Sequence, residues 1–113
     1  MNPLHEDKTL TSKLVKIDIS IKMLESAHVP DTMLLIRCLP TVAVVGQSER
    51  VERSHATGTV LDLYVKFLPK QGTLYKNLVD LAKIIKKLPG VKHIKVEKVG
   101  GRNVTYKGSP IVI

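Results

Sequence analysis

Two segments of the chain alternate apolar and polar residues in the same way. Residues 17–24 (IDISIKML) and 61–68 (LDLYVKFL) carry apolar side chains at every other position and have Asp and Lys at the same two places. Such alternation puts the apolar side chains on one face of a β-strand. The spacing of Leu10, Leu14, Ile17, Ile21 and Leu24 also fits a helix. We predict a strand from Val15 to Leu24 because the matching segment is rich in strand-forming residues.

A helical period follows the second of these strands. Apolar residues recur at intervals of four and three, as on the side of a helix that faces a core, at Leu74, Leu78, Leu81, Ile85 and Leu88. Thr73 is the predicted N-cap, and Pro89 followed by Gly90 ends the helix. Residues 36–42 resemble residues 85–91 and share their Leu-Pro pair. We therefore predict a shorter first helix, beginning after Pro30 with Asp31 or Thr32 as its cap.

The order strand, helix, strand thus occurs twice, with the second strands beginning at Val42 and Val91. This order predicts an α+β fold, a ferredoxin-like βαββαβ sandwich with an antiparallel sheet and both helices on one face. We assign one domain to residues 1–113: an N-terminal extension (1–13), two βαβ halves (15–53 and 57–99) and additional C-terminal strands (102–113). Gly100 and Gly101 predict a two-residue hairpin turn before a strand at 102–106, and residues 109–113 form a last extended segment.

Composition narrows the class of protein. A chain of 113 residues that is 43% hydrophobic can bury one core and does not have the composition of a disordered protein. No apolar run approaches the roughly 20 residues needed to cross a bilayer, so we expect no membrane association. The N-terminus lacks the apolar stretch of an export signal, and the only thiol is Cys38. Both observations favour the cytoplasm, or a virus particle assembled there.

Catalytic signatures are missing from the sequence. The four histidines lack metal-ligand spacing, and the glycines follow no phosphate-binding pattern. The matched Asp18 and Asp62 suggest acid/base chemistry, but pairing with Lys22 or Lys66 on the open side of the sheet is the better interpretation. We expect no enzymatic activity, no cofactor, no metal site and no small-molecule substrate.

The net charge of +8 is concentrated in one part of the chain. Residues 83–107 contain one acidic residue, Glu97, and eight basic ones, Lys83, Lys86, Lys87, Lys92, Lys95, Lys98, Arg102 and Lys107. If they form one face, this basic patch would attract phosphates or an acidic protein surface, although a purely solubilising role is an equal alternative. The predicted open face of the sheet carries Asp18, Ser20, Lys22, Asp62, Tyr64 and Lys66. Only Tyr64 among them could stack on a base.

Three features indicate assembly instead. Residues 33–36 (MLLI) contain no polar residue, so if Leu35 and Ile36 face the core, Met33 or Leu34 must face a partner or the N-terminal segment. The apolar C-terminus, with Ile111, Val112 and Ile113, should pair with a sheet edge of its own chain or of a neighbour. Residues 46–58 form a predicted hairpin tip of mixed charge, suited to solvent or a subunit contact.

We therefore predict a non-enzymatic interaction or assembly module. It would self-associate or dock as a small structural subunit of a larger complex, such as a virion, with protein partners or further copies of itself. The alternative is a nucleic-acid-binding protein that uses the basic patch of residues 83–107 and Tyr64. A third class, ligand sensing between paired domains, fits the predicted architecture but has no identifiable pocket residues.

Overall fold

Strand β1 (Val15–Met23) lies at the centre of the sheet in a computed structural model of the chain, which describes residues 14–52, 58–101, 104–105 and 108–113. A single 3-10 turn (Ser26–His28) leads into helix α1 (Val29–Arg37). The later elements are β2 (Val42–Glu52), β3 (Gly58–Phe67), α2 (Leu74–Lys86), β4 (Val91–Gly101), β5 (Val104–Thr105) and β6 (Ile111–Val112). The first segment is therefore a strand and not a helix, and β2 and β4 begin where the sequence predicts.

The strands form an antiparallel sheet in the order β2-β3-β1-β4. Both C-terminal strands extend it at the outer edge of β4, where β5 pairs with Gly100 and Gly101 and β6 pairs with Lys95 and Val96. The protein is thus α+β, with a six-stranded sheet and two helices in its described part. The outer edge of β2 pairs with no other described strand.

The core lies between the helices and one face of the sheet. The odd-numbered residues of β1, from Val15 to Met23, are at most 1% exposed and belong to the same buried cluster as the inward side chains of both helices. On α1 these are Val29, Met33 and Ile36, and on α2 they include Leu78, Leu81 and Ile85. Both helices therefore cover one face, as predicted. We call the other face, which no described element covers, the open face.

The two helices begin differently. The side chain of Thr73 accepts a hydrogen bond from the Lys76 amide at 3.2 Å, which confirms the predicted N-cap of α2. The prediction for α1 is wrong, because this helix already begins at Val29 and has Pro30 in its first turn. A proline is tolerated there because the first backbone N–H groups of a helix have no partner within the helix. Thr32 caps nothing. It is buried, and its hydroxyl donates to the Pro89 carbonyl at 3.2 Å, which joins α1 to the turn between α2 and β4.

The same turn depends on Gly90, whose φ of +80° is strained for any residue with a side chain. Its carbonyl accepts a hydrogen bond from the Leu24 amide at 2.8 Å, so the end of β1 is attached there. The His28 side chain fills the space beside its Cα, and a Cβ added at Gly90 would lie 2.7 Å from the His28 Cβ. The contact explains why the turn has no room for a larger residue.

Two predicted turns are in fact strand. Gly100 and Gly101 pair with Thr105 and Val104, so they belong to the β4–β5 ladder, and residues 102–103 between the two strands lie outside the described residues. Likewise β2 continues in register with β3 as far as Glu52, although residues 46–58 were expected to form a hairpin tip. The register shifts between Val44 and Gly46, and this bulge leaves Val45 as an extra residue. Only residues 53–57 of the predicted tip lie outside the described strands.

The C-terminal segment pairs within its own chain. Ile94 and Ile113 exchange two backbone hydrogen bonds of 2.9 Å, and Ile111 is only 6% exposed and belongs to the core cluster. Val112 points the other way and is 63% exposed. A short strand near the chain end therefore completes the apolar core beside β4.

We expect Gly90→Ala to lower the free energy of unfolding by about 2 kcal/mol, because the new methyl group meets His28 and the backbone is held at positive φ. Urea unfolding followed by circular dichroism measures this loss. Gly100→Ala is the matched control, since a Cβ there meets no atom within 4 Å, and it should change stability by less than about 0.5 kcal/mol. Equal effects of the two substitutions would contradict the account of the turn.

Truncation of Ile111 should show that the last strand is part of the core. Ile111→Ala is expected to cost about 2 kcal/mol through lost burial and the cavity it leaves, measured by the same urea unfolding. Val112→Ala, one residue along the strand but exposed, should cost less than about 0.5 kcal/mol. If Ile111→Ala were equally harmless, β6 would not be packed as described.

Candidate interaction surfaces

The basic residues of the predicted patch do not share one face. Lys83 and Lys86 belong to α2 and Lys87 follows it, whereas Lys95 lies on the open face between the inward-facing Ile94 and Val96. The two groups therefore lie on opposite sides of the sheet. Lys92 is exposed at the start of β4, and the Lys98 backbone pairs with Asp18. Arg102 and Lys107 lie outside the described residues. The linear cluster was misleading because it crosses from the helix layer into a strand.

Tyr64 lies on the open face, as predicted, and is 44% exposed. It pairs in register with Gly46 of β2 on one side and with Asp18 of β1 on the other. A Cβ added to Gly46 would lie 3.3 Å from the Tyr64 Cδ2 atom, so the ring sits close over the bare backbone of that glycine. The bulge at Val45 brings Gly46 opposite Tyr64. The aromatic ring therefore contacts the Gly46 backbone on one side and remains accessible to solvent.

Asp62, also on the open face, is hydrogen-bonded on both carboxylate oxygens. The Ser20 hydroxyl donates to Oδ1 at 2.8 Å, and Arg50 Nε donates to Oδ2 at 2.9 Å. The cation beside Asp62 is thus Arg50 and not the predicted Lys66. Sequence reasoning missed Arg50 because it assigned that residue to a loop, and residues 47–50 (QSER) are all polar and show no strand alternation. Asp62 is a structural carboxylate that joins β1, β2 and β3.

Lys16 and Lys66 face each other directly across β1 and β3. The next residues in the same row are Ala43 on β2 and Gly100 on β4, so this row of described residues contains no acidic side chain. Neither lysine forms an ion pair or hydrogen bond with another residue in the part of the chain that the structure describes. Like charges placed opposite each other destabilise a sheet, and this pair attracts anions to one end of the open face.

The apolar run of α1 divides between core and solvent. Met33 is 6% exposed and packs in the core, so the prediction that it lies at an interface is wrong. Leu35, expected in the core, is 42% exposed, and Leu34 is 64% exposed. The side of the helix that faces the core differs from the expected one, since it carries Val29, Thr32 and Ile36 together with Met33. Two adjacent leucines therefore remain on its surface.

An apolar cavity of about 110 Å³ opens between α2 and residues 39–41, which follow α1. Its apolar lining comes mainly from Leu39, Phe67, Leu81 and Ile84, with Lys70 and Asp80 among the polar contributors. The wall is ordered by Asn77, which accepts a hydrogen bond from the Lys70 amide at 2.7 Å and donates to the Thr73 carbonyl at 2.8 Å. A cavity of this size is smaller than the roughly 300 Å³ at which pockets for small-molecule ligands begin. It suits a single aliphatic side chain.

The three predicted C-terminal interface residues are not equivalent. Ile111 is buried in the core, and Ile113 is partly buried against it, so their apolar surface is already used within the chain. Val112 alone is well exposed, on the open face beside Lys95. Leu34 and Val112 thus lie on opposite sides of the molecule and cannot form one contact surface.

Within the described residues, no group of three or more His, Cys, Asp or Glu side chains is placed to hold a metal ion. The described helices are too short and too polar to cross a bilayer. Comparison with known proteins finds no family model, no curated protein and no solved structure that matches the chain.

The contribution of the Asp62 hydrogen bonds to stability can be measured by comparing Asp62 with Asp18, the residue at the matching position of the other repeat. Asp62→Ala should lower the free energy of unfolding by about 1 kcal/mol, because it removes two hydrogen bonds at a site that is only 20% exposed. Asp18 has no hydrogen bond to another described residue, so Asp18→Ala should change stability by less than about 0.5 kcal/mol. Urea unfolding of both variants makes the comparison. Equal losses would show that strand position, and not the Ser20 and Arg50 contacts, decides the effect.

Proposed function

We propose that this chain is a non-enzymatic assembly module that self-associates through its helix layer. The observation that carries the proposal is the exposure of the adjacent Leu34 and Leu35 on α1, together with an apolar cavity lined by residues 39–41, which follow this helix. Ile84 on the facing side of α2 is a further 45% exposed apolar residue. An apolar patch that continues from a helix surface into a cavity is typical of protein contact sites.

The orientation of α1 places one of the leucines toward the cavity. Arg37 reaches the β2 side, where its Nη2 donates to the Gln47 Oε1 at 2.9 Å. Leu35 precedes Arg37 by two residues and therefore lies on the other side of the helix, toward α2. It is also one helical turn before Leu39, which lines the cavity. Leu35 is thus a sequence neighbour of the cavity lining and is 42% exposed, while Leu34 is 64% exposed.

A second copy of the same chain is the occupant that fits best. A twofold contact needs a projecting group and a recess on the same surface, so that each copy fills the recess of the other. Leu34 is the projecting group and the 110 Å³ cavity is the recess. Full burial of a leucine side chain contributes roughly 1.5–3 kcal/mol, and a twofold contact gains this twice. These two sites would be the centre of the interface.

The finer description of the fold belongs with this proposal. We infer that the first four strands and the two helices constitute a ferredoxin-like βαββαβ unit. The inference is supported by the neighbouring order β2-β3-β1-β4 and by the packing of both helices on one face. Cys38 is a free, exposed thiol, which supports a reducing compartment such as the cytoplasm. A structural subunit of a larger complex would combine these properties.

The proposal is tested by light scattering and sedimentation of the wild-type chain and of Leu34→Lys. The wild type is expected to form a dimer in a concentration-dependent manner. Placing an ammonium group at the contact should weaken the dimer at least tenfold, because the charge would have to be buried without a partner.

Val112→Lys is the matched control, since Val112 is equally exposed but lies across the sheet. It should leave the dimer unchanged. A wild-type chain that stays monomeric at high micromolar concentration, or equal loss in the two variants, would overturn the assignment of the helix layer as a self-association surface.

A further inference from the structure

The open face contains a charge arrangement that folding alone does not explain. Lys16 and Lys66 stand opposite each other, and the residues that flank them in the row, Ala43 and Gly100, are small and uncharged. An acidic residue at either flanking position would have relieved the repulsion, as Arg50 and Asp62 balance each other elsewhere on the same face. The row is therefore a cationic pair of lysines on a surface that no described element covers.

An accessible aromatic ring lies next to this pair of lysines. Tyr64 precedes Lys66 by two residues on the same strand face, which is a separation of about 7 Å. Proteins that bind single strands combine such neighbouring groups, with cations along the backbone and an aromatic ring on which a base stacks. The Tyr64 ring rests over Gly46 and is 44% exposed, so a flat group can approach it from solvent.

We propose that the open face binds single-stranded nucleic acid, with a backbone phosphate between the ammonium groups of Lys16 and Lys66 and a base stacked on Tyr64. Charge complementarity selects the occupant, since a phosphate supplies the anion that the row lacks. The stacked position requires an unpaired base, because the bases of a duplex do not expose their faces.

The acidic residues of the open face are compatible with this occupant. Asp62 is balanced by Arg50 and is also held by Ser20. Asp18 stands directly beside Tyr64, one row away from the lysine pair. Its carboxylate has no hydrogen bond to another described residue and can accept one from an N–H group on the edge of a base stacked on the ring. The proposed phosphate position thus lies between two lysines, and the proposed base position lies beside Tyr64 and Asp18.

The site differs from the basic patch predicted from residues 83–107. All three of its residues, Lys16, Tyr64 and Lys66, lie on strands β1 and β3, and only Tyr64 was among the residues predicted to bind nucleic acid. Lys83, Lys86 and Lys87 lie on the opposite side of the sheet and take no part. The proposal is also independent of self-association, which uses the helix layer.

Fluorescence anisotropy with short labelled oligothymidylate and oligouridylate, at low and physiological salt, tests the site on the full chain. We expect binding that weakens with salt, and a loss of at least about tenfold for Lys16→Glu combined with Lys66→Glu. The matched control is Lys83→Glu combined with Lys87→Glu, which changes the net charge equally on the other side of the sheet. It should weaken binding less than about threefold. Binding of either oligonucleotide with this pattern supports the proposal.

Tyr64→Ala should weaken binding by about five- to a hundredfold, whereas Tyr64→Phe retains the ring and should bind as the wild type does. Circular dichroism confirms that the variants are folded. Four results would overturn the proposal: no binding at low salt, equal loss in the two double charge variants, equally tight binding of a duplex, or no effect of Tyr64→Ala. Binding of polyglutamate that depends equally on Tyr64 would assign the face to an acidic protein partner and also overturn it.

Discussion

The antiparallel pairing of β1 with β3 on one side and β4 on the other is the constraint on which the rest of the molecule depends. Because the side chains of a strand alternate between two faces, this double pairing puts Val15, Ile17, Ile19, Ile21 and Met23 into one continuous apolar surface. Both helices pack on that surface and add their inward side chains to the same core. The same pairing puts every intervening residue of β1 on the open face, so the core and the candidate binding surface are set by a single register.

The regular elements could be predicted from the sequence because their periods are strong and repeated. The stripe of α2 and its Thr73 cap were found correctly, since both depend on residues close together in the chain. The start of α1 was not, because Thr32 looks like a cap but is used by Pro89 from the other half of the protein. A hydroxyl whose partner is distant in sequence gives no local indication of that partner.

The candidate surfaces were harder to predict for a related reason. The lysines that cluster in sequence separate onto two sides of the sheet, whereas Lys16 and Lys66, fifty positions apart, meet in one row. The bulge at Val45, which sets Gly46 under the Tyr64 ring, depends on the pairing of β2 with β3. Such juxtapositions follow from register, and register is fixed by contacts along the whole sheet and not by any short segment.

The burial of Ile111 has a consequence for how the protein is made. This residue comes long after β1 in the sequence, yet its side chain occupies the core formed around that strand. A nascent chain emerges from the ribosome N-terminus first, so β1 and the helices must wait for β6 before the last apolar side chain can enter. During that interval the edge of β4 that β6 will cover is open to other strands. Synthesis, and not only the finished structure, therefore exposes this chain to contact with its neighbours.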